Sequence, residues 1–326
     1  MLENSRVGVV GVGSMGHHHA RIYNELPGAE LVGVHDVDGE RARSVAREFD
    51  TRALPRNRLL EAVDAVSIAV PTRHHKRMVE EAIDAGVHML VEKPFVVDAE
   101  EGRELLERAD DADLLVQVGH IERYNPAISA LRDVLVDAEP LAVAARRQGP
   151  PVERDDAASA VFDLMIHDID IVLSMTDATL TNVTASRVPD RNHVIAQLEF
   201  DDGLVASLTA SRITQERIRE LSITAESCQI NVDYMDKSVE IHRHSLPEYI
   251  TDNGDVRFRH ESVIERPTIE NGEPLKNELA AFLDAVENGT EVHPDGHDGI
   301  RAVEVATEVE AALDPAREAV PEVQNT

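Results

Sequence analysis

The 326-residue chain has few of the features that mark secreted, membrane-bound or metal-binding proteins. Its single cysteine, Cys228, can form no intrachain disulfide, and nothing in the sequence resembles a thiolate metal site. No apolar run approaches the ~20 residues that a membrane span requires. The first predicted strand begins at residue 6, so we expect no signal peptide. These absences predict a soluble cytoplasmic protein with no membrane partner and no metal.

Basic residues, and lysine above all, are scarce. The chain has 32 Lys and Arg against 62 Asp and Glu, a formal net charge of -30, and its only lysines are residues 76, 93, 237 and 276. Such a charge argues strongly against nucleic acid as a partner. Acidic, lysine-poor surfaces are typical of salt-loving organisms, because dissolved salt screens the self-repulsion, and we predict a halophilic protein. A mildly acidic mesophilic protein is the alternative.

The length predicts two domains, over residues 1–122 and 123–326. In the first, apolar runs alternate with helical patterns, as a doubly wound parallel sheet of the Rossmann type requires. The predicted strands are 6–10, 31–35, 65–70, 88–91 and 114–118. The fold class is therefore α/β, with an N-terminal parallel sheet.

The second domain has consecutive β-patterned runs with little helix between them, which predicts an α+β domain on a large, mainly antiparallel sheet. These runs are 181–187, 193–200, 204–211, 219–225, 229–233 and 238–242. Asp201-Asp202-Gly203 between two of them predicts a hairpin turn. Helices are predicted over 157–174, 275–287 and 299–312.

A glycine-rich turn, G-V-G-S-M-G at residues 11–16, lies between the first predicted strand and helix. Its glycines permit a tight turn, close backbone approach to a pyrophosphate and close helix packing, while the helix N-terminus attracts the phosphates. The predicted cofactor-binding residues of this part are Gly11, Gly13, Ser14, Met15, Gly16 and Asp36. A glycine turn of purely structural use is the alternative.

Asp36 follows the second predicted strand, where its carboxylate can accept hydrogen bonds from ribose hydroxyls. Its charge, with that of Asp38, repels a 2′-phosphate, so NAD is favoured over NADP. Arg41 is the complication, because it could reach a 2′-phosphate.

The tripeptide Glu92-Lys93-Pro94 directly follows a predicted parallel strand, at the sheet edge where such folds bind ligands. Pro94 restricts Lys93 to an extended conformation. A lysine held there can stabilise developing alkoxide charge on a substrate oxygen. A solvated surface lysine is the alternative, but the scarcity of lysine favours function.

Asp163 and His167 stand one turn apart on a predicted helix and share a face. A histidine held by carboxylates suits a general base near neutral pH. The alternative is an ordinary amphipathic helix with an ion pair, and the segment alone does not decide between them.

Together these segments resemble the Gfo/Idh/MocA oxidoreductases. The resemblance rests on the glycine turn, the segment V-P-T-R-H-H at 70–75, the E-K-P motif and the D-x-x-x-H pair, in that order along nearly the whole chain. It implies an NAD(P)-dependent dehydrogenase that oxidises a sugar or polyol CH–OH group. It further implies that His167 takes the hydroxyl proton, Asp163 orients the imidazole and Lys93 polarises the oxygen.

The resemblance also implies further contacts with the cofactor and a homo-oligomer, a dimer or tetramer formed through the second sheet. The implied cofactor contacts are Pro71, Thr72, His75, Glu92 and Lys93. A surface role is the alternative for His75. His19 matches a position that is often histidine in the family, and we expect it to pack near the glycine turn.

Two segments, G-H-I-E-R-Y-N-P at 119–126 and D-L-M-I-H-D-I-D at 163–170, resemble archaeal members that oxidise the 3-hydroxyl of UDP-N-acetylglucosamine. The diphosphate of such a substrate requires local cations. For each candidate arginine, the alternative is an ordinary surface residue with no role in binding. The candidate cations are Arg123, Arg146, Arg147, Arg212, Arg217 and Arg219. The predicted substrate-binding residues are Lys93, Arg123, Tyr124, Asn125, Asp163, His167 and Arg212. One departure is that Ala158, Ser159, Ala160 and Met165 stand where the family often has glycines, which changes the pocket wall.

The sequence therefore predicts an NAD-dependent enzyme that oxidises a sugar hydroxyl to a ketone. The favoured substrate is the 3-hydroxyl of UDP-N-acetylglucosamine, in nucleotide-sugar synthesis for glycans. An inositol or free-sugar dehydrogenase is the alternative within the family. A non-catalytic NAD-binding sensor is the alternative of another class, and it would have no need for Lys93, Asp163 and His167 together.

The charge balance generates a test of the halophilic prediction. We expect the thermal unfolding midpoint to rise by several degrees between ~0.1 M and ~2 M KCl, because screening weakens the repulsion among surface carboxylates. Differential scanning calorimetry measures this midpoint. A midpoint that stays constant or falls with salt would favour the mesophilic alternative.

Overall fold

The computed structural model describes residues 4–136, 138–151, 159–189, 191–244, 248–252, 255–259 and 262–313. The strands are β1 (Ser5–Val10), β2 (Ala29–His35), β3 (Arg52–Ala53), β4 (Ala65–Ile68), β5 (His88–Glu92), β6 (Val116–Gly119), β7 (Pro140–Gln148), β8 (Leu180–Arg187), β9 (His193–Phe200), β10 (Val205–Ser211), β11 (Ile218–Ala225), β12 (Cys228–Asp233), β13 (Ser238–His244), β14 (Glu248–Asp252), β15 (Asp255–Arg259) and β16 (Ser262–Glu265). The α-helices are α1 (Ser14–Glu25), α2 (Gly39–Glu48), α3 (Arg56–Leu60), α4 (His75–Asp84), α5 (Ala99–Asp110), α6 (Pro126–Leu135), α7 (Ile166–Leu173), α8 (Pro274–Asn288) and α9 (Gly296–Ala312). Among the described residues, no helix has both the length and the apolar character that crossing a membrane requires.

The N-terminal part forms a six-stranded sheet in the order β3-β2-β1-β4-β5-β6, and all of its strand pairs are parallel. The order reverses between β1 and β4, where doubly wound sheets bind ligands at the carboxyl ends of their strands. Strands β4 and β6 are buried along their whole length, and their residues are apolar apart from Ser67, Gln117 and Gly119. The predicted Rossmann-type fold class is confirmed.

The C-terminal helix α8 packs on one face of this parallel sheet. Leu279 and Phe282 of α8 lie in the same apolar cluster as Val9 of β1 and Tyr23 of α1. The chain accordingly divides into one unit of residues up to Asn125 with Asn271–Glu304, and a second of Pro126–Glu270 with the residues from Val305 on. The sequence pattern, in contrast, predicts that everything after residue 122 belongs to the second domain, because a helix pattern does not reveal which sheet the helix covers.

The second unit is built on an eight-stranded sheet in the order β16-β13-β12-β11-β7-β10-β9-β8, with β14 and β15 forming a separate two-stranded sheet. Only the β7–β10 pair of the larger sheet is parallel. The predicted turn between β9 and β10 is present, with Gly203 at φ +91. Helix α7 packs against β7 and β10, and α6 packs against β12 and β13. The predicted antiparallel α+β domain is confirmed.

Strand β7 lies at the centre of this sheet, although the sequence pattern did not predict it. Its inward positions are Val143, Ala145 and Arg147, and the arginine is only 2 % exposed. The Arg147 guanidinium donates from Nε and Nη2 to the Asp168 carboxylate at 2.8–3.1 Å and lies over the Tyr234 ring. A charged residue at an inward position conceals the alternation by which a strand is recognised.

The buried Arg147–Asp168 pair generates a test of stability. Arg147→Met leaves the Asp168 carboxylate buried without its guanidinium, so we expect a loss of about 3–5 kcal/mol in the free energy of unfolding. Replacing both partners, with Asp168→Leu added, should restore most of that loss. Urea denaturation measures the difference.

Arg146→Met on the same strand is the matched control. Arg146 pairs with Glu220 at the surface, where both side chains are more than 40 % exposed, so its loss should cost about 1 kcal/mol or less. Equal effects of the two substitutions would show that the buried pair contributes no more than a surface pair.

Candidate functional site

The glycine turn between β1 and α1 has the geometry that a dinucleotide requires. Gly11 adopts φ +86, and a Cβ placed on Gly16 would lie 1.8 Å from the Gly11 carbonyl oxygen, so both positions require glycine. A Cβ on Gly13, in contrast, would meet no atom within 4 Å. Gly13 is the N-cap of α1, whose first turn, including Ser14 and Met15, presents backbone N–H groups at its N-terminus. The residues present therefore fit a bound diphosphate, and the open space at Gly13 is where it would approach.

Asp36 is tied to the glycine turn. One oxygen of its buried carboxylate accepts a hydrogen bond from the Val12 N–H at 2.9 Å, and the other accepts from the Asp38 N–H at 2.8 Å. The Arg41 guanidinium approaches Asp36 to 3.4 Å and Asp38 to 3.5 Å. The carboxylate keeps lone pairs for a ribose hydroxyl, since each oxygen can accept more than one hydrogen bond.

The predicted cofactor contact His75 is the first residue of α4, and its ring contacts the segments that follow β4 and β5. Its Nε2 is 2.8 Å from the Val70 carbonyl oxygen, and its Nδ1 is 3.0 Å from that of Pro94. Burial lowers the pKa of the His75 imidazole, against the raising effect of these hydrogen bonds. The ring thereby joins the loop that begins at Pro71 and Thr72 to the E-K-P motif, a role that the sequence did not predict.

Glu92 is the last residue of β5, and Lys93 follows it directly. Both are partly buried, and the Lys93–Pro94 peptide bond is cis. The Glu92 carboxylate contacts the Nε2 of the buried His19 at 3.0 Å. Burial alone would raise the pKa of Glu92, but the hydrogen bond with His19 and the nearby charges of His19 and Lys93 together lower it. Glu92 is therefore an ionised neighbour of Lys93.

The three consecutive histidines of α1 face in three directions. His17 contacts Glu48 at 3.0 Å, His18 is exposed, and His19 is fully buried beneath the motif at Glu92. Helical spacing puts His19 on the buried face of α1 with Gly16 and Tyr23, but its contact with Glu92 could be found only in three dimensions.

Three predicted substrate ligands have partners inside the first unit. Arg123 is 7 % exposed and donates to Asp298 at 3.1 Å. The Tyr124 hydroxyl donates to the His293 carbonyl oxygen, and the buried Asn125 amide donates to Glu122 at 3.3 Å. The Arg123 contact ties the segment to the first turn of α9, the Tyr124 contact ties it to the loop before α9, and the Asn125 contact lies within the segment.

In the second unit, Asp163 is paired with Arg212. The Arg212 Nε donates to the Asp163 carboxylate at 2.9 Å, and its Nη2 donates to the same oxygen. Asp163 lies within a π-helical stretch, Val161–Met165, that leads directly into α7, and the partly buried His167 lies in the first turn of α7. Such stretches recur at functional sites. Of the residues predicted to form the helix over 157–174, 157 and 158, including Ala158 of the pocket wall, lie outside the described residues, whereas Ser159, Ala160 and Met165 are described.

Two of the other candidate cations form ion pairs with carboxylates. Arg146 pairs with Glu220, and Arg147 pairs with Asp168. Near Gly149, the Arg212 guanidinium and the Arg217 side chain both lie 3.9 Å from the position of a Cβ built there. The pairing of Arg212 with Asp163 was not predicted, because 49 residues separate the two in the sequence.

Comparison with protein families accounts for both units. Residues 5–120 match the model described as an oxidoreductase family with an NAD-binding Rossmann fold, and residues 137–231 match the GFO/IDH/MocA C-terminal domain. The chain belongs to the Gfo/Idh/MocA family. It is an oxidoreductase of the dehydrogenase class that acts on CH–OH groups, and its first unit binds a nucleotide cofactor.

Individual relatives extend along nearly the whole chain. The UDP-N-acetylglucosamine 3-dehydrogenase of Acidithiobacillus ferrooxidans is 36% identical over 314 residues, 95% of this chain and 97% of that protein. A solved structure of that bacterial enzyme matches with a TM-score of 0.86 and 35% identity, and covers 95% of this chain and 97% of its own. An inositol 2-dehydrogenase of Rhizobium meliloti is 28% identical over 323 residues, 92% of this chain and 94% of that protein.

The glycine turn provides a matched pair of variants. Gly13→Ala adds a methyl group that meets no protein atom, so the free protein should lose about 1 kcal/mol of stability or less. The same methyl group occupies the approach of the diphosphate, so we expect the Kd for NAD to rise at least about tenfold. Titration calorimetry with NAD measures the affinity, and calorimetric scanning of the free protein measures the stability.

Gly16→Ala should behave in the opposite way. Its methyl group collides with the Gly11 carbonyl oxygen, so the loss should appear as instability of the free protein. Normal NAD affinity in a stable Gly13→Ala variant would mean that the diphosphate does not lie against this turn.

Proposed function

We propose that the protein is an NAD-dependent dehydrogenase that oxidises the 3-hydroxyl of UDP-N-acetylglucosamine to a ketone, in nucleotide-sugar synthesis for glycans. The observation that carries this proposal is the 36% identity, along 95% of the chain, with a bacterial enzyme named for that reaction. The likeness to archaeal members stays a prediction, as do the homo-oligomer, the halophilic character and the cytoplasmic location.

The proposed catalytic residues are Lys93, Asp163 and His167. Oxidation of a carbinol removes a proton from oxygen and a hydride from carbon, and the bound nicotinamide supplies the hydride acceptor. His167 takes the proton, since histidine is the side chain most often used as a general base. Asp163 is one turn away, and Arg212 fixes its carboxylate so that it can orient the imidazole.

Lys93 acts on the substrate oxygen. Its ammonium carries a positive charge on a motif that two buried histidines brace, His75 at the Pro94 carbonyl and His19 at Glu92. A fixed positive charge beside the hydroxyl oxygen stabilises the negative charge that develops as the proton leaves. The presence of this set also weighs against a non-catalytic sensor.

The diphosphate of the substrate must be held by residues that are still available. Arg212 has 23% of its side chain exposed, so it can contact substrate while it holds Asp163. Arg123 is nearly excluded from solvent by its pairing with Asp298, and its position favours a structural role. We therefore retain Arg212 as the proposed phosphate contact.

NAD is proposed in preference to NADP because two carboxylates lie at the end of β2. Hydrogen bonds from the N–H groups of Arg41 and Glu40 lower the pKa of Asp38, which is consequently ionised at neutral pH. Asp36 and Asp38 together would repel a 2′-phosphate, and the Arg41 guanidinium approaches both of them.

An inositol dehydrogenase is the second candidate. It is favoured by the 28% identity with the inositol 2-dehydrogenase of Rhizobium meliloti over 92% of this chain. A free polyol would have no need of a phosphate contact.

The test is to incubate the protein in high salt with NAD and a panel of UDP-sugars and polyols. The absorbance of reduced nicotinamide measures the oxidation of each compound. We expect turnover with UDP-N-acetylglucosamine and a loss of at least about 100-fold in kcat for Lys93→Met. Lys76→Met is the matched control, because Lys76 forms a surface pair with Glu101. Oxidation of polyols alone would overturn the UDP-sugar proposal, and an unimpaired Lys93→Met would remove that lysine from the mechanism.

A further inference from the structure

A chain of hydrogen bonds runs through the buried interior of the first unit and ends at the E-K-P motif. The Tyr23 hydroxyl lies 2.8 Å from Ser67 Oγ, which lies 3.0 Å from His19 Nδ1. His19 Nε2 lies 3.0 Å from the Glu92 carboxylate. Tyr23 is 1% exposed, while His19 and Ser67 are fully buried, so these contacts are shielded from water. Most polar groups buried this deeply in proteins have hydrogen-bond partners, and each member of this chain has one.

The chain has one consistent direction. An ionised carboxylate only accepts, so His19 Nε2 must donate to Glu92. In the neutral ring Nδ1 then accepts, and the donor available to it is the Ser67 hydroxyl. Ser67 Oγ in turn accepts from the Tyr23 hydroxyl, which stays protonated because burial raises its pKa. Each hydroxyl or ring N–H thus points toward Glu92.

We propose that this chain makes His19 a positioning residue for Lys93, since its hydrogen bond holds the carboxylate of the preceding residue, Glu92, in one orientation. The proposal rests on the proposed catalytic role of Lys93. In this proposal His19 touches neither the substrate nor the reacting atoms and acts only through Glu92. Glu92, predicted as a cofactor contact, would then also act on Lys93.

The charges around Glu92 support this assignment. Burial alone would raise the pKa of Glu92, but the hydrogen bond from His19 and the positive charge of Lys93 favour the ionised carboxylate, so the pKa is lowered. Coupling between two charges is reciprocal, so Glu92 favours the charged form of Lys93 by the same interaction. At the far end of the chain, the charge of Glu278 acts on Tyr23 and raises its pKa further.

The scarcity of lysine makes this coupling measurable without any substrate. Reductive ¹³C-methylation of the intact protein labels its four lysines, residues 76, 93, 237 and 276, and the N-terminal amine. Lys93→Arg assigns the Lys93 signal in the NMR spectrum, and titration of that signal gives its pKa. In Glu92→Gln we expect that pKa to fall by about one unit, because an opposite charge is lost nearby. The Lys76 signal should not move.

Variants of His19 separate positioning from mere structural support. His19→Ala leaves the carboxylate without its donor, whereas His19→Gln keeps an N–H at a similar reach, so we expect a downward shift of the Lys93 pKa in the first and its rescue in the second. Ser67→Ala should give a smaller shift in the Lys93 pKa. It replaces His19→Ala as the test variant if His19→Ala fails to fold. His88→Gln is the control, because His88 lies in the same sheet at the opposite end of β5, where its Nδ1 accepts from the Leu115 N–H.

Kinetics provide the second readout. The basic limb of the kcat profile should move to lower pH in His19→Ala, with NAD affinity unchanged, and return in His19→Gln. An unshifted Lys93 signal in Glu92→Gln, or equal shifts in His19→Ala and His88→Gln, would overturn the proposal. Failure of the wild type to oxidise any hydroxyl would instead overturn the proposed function, since the titration is independent of turnover.

Discussion

Burial of a carboxylate is the physical constraint on which this protein depends most. An ionised carboxylate out of water must be surrounded by donors or by a cation, or it takes up a proton and loses its charge. Asp36 is held by two backbone N–H groups, Glu92 by His19, and Asp168 by Arg147. Each of these arrangements fixes a negative charge at one defined position in the fold.

The parallel sheet explains why two of these carboxylates are next to functional segments. Asp36 and Glu92 lie at the carboxyl ends of β2 and β5, the edge at which doubly wound sheets bind ligands. Asp36 joins that edge to the glycine turn through the hydrogen bond from the Val12 N–H, so one contact fixes both the turn and the proposed ribose-binding carboxylate. Glu92 places a negative charge in the residue before Lys93, the proposed catalytic lysine.

The acidic composition has a second consequence, because most arginines of the candidate site are used within the protein. Arg123, Arg147 and Arg212 all have carboxylate partners. In a chain with a formal net charge of -30, a cation that stays available to a phosphorylated ligand is uncommon. Arg212 combines both uses, since its partly exposed guanidinium holds Asp163. Recognition of an anionic substrate and orientation of the catalytic carboxylate would then depend on the same side chain.

The sequence by itself determined the features that depend on local spacing. The glycine turn, the strand and helix alternation, the hairpin at Gly203 and the family motifs around Lys93 and His167 all follow from residues near one another in the chain. Only the tertiary structure decided which groups pair: that His19 rather than His17 or His18 reaches Glu92, that Arg123 is buried, and that α8 covers the first sheet. The physical reason is that burial and charge pairing join residues far apart in the chain, and no local pattern records such distances. Asp163 and Arg212 are 49 positions apart, and Arg123 and Asp298 are 175 apart.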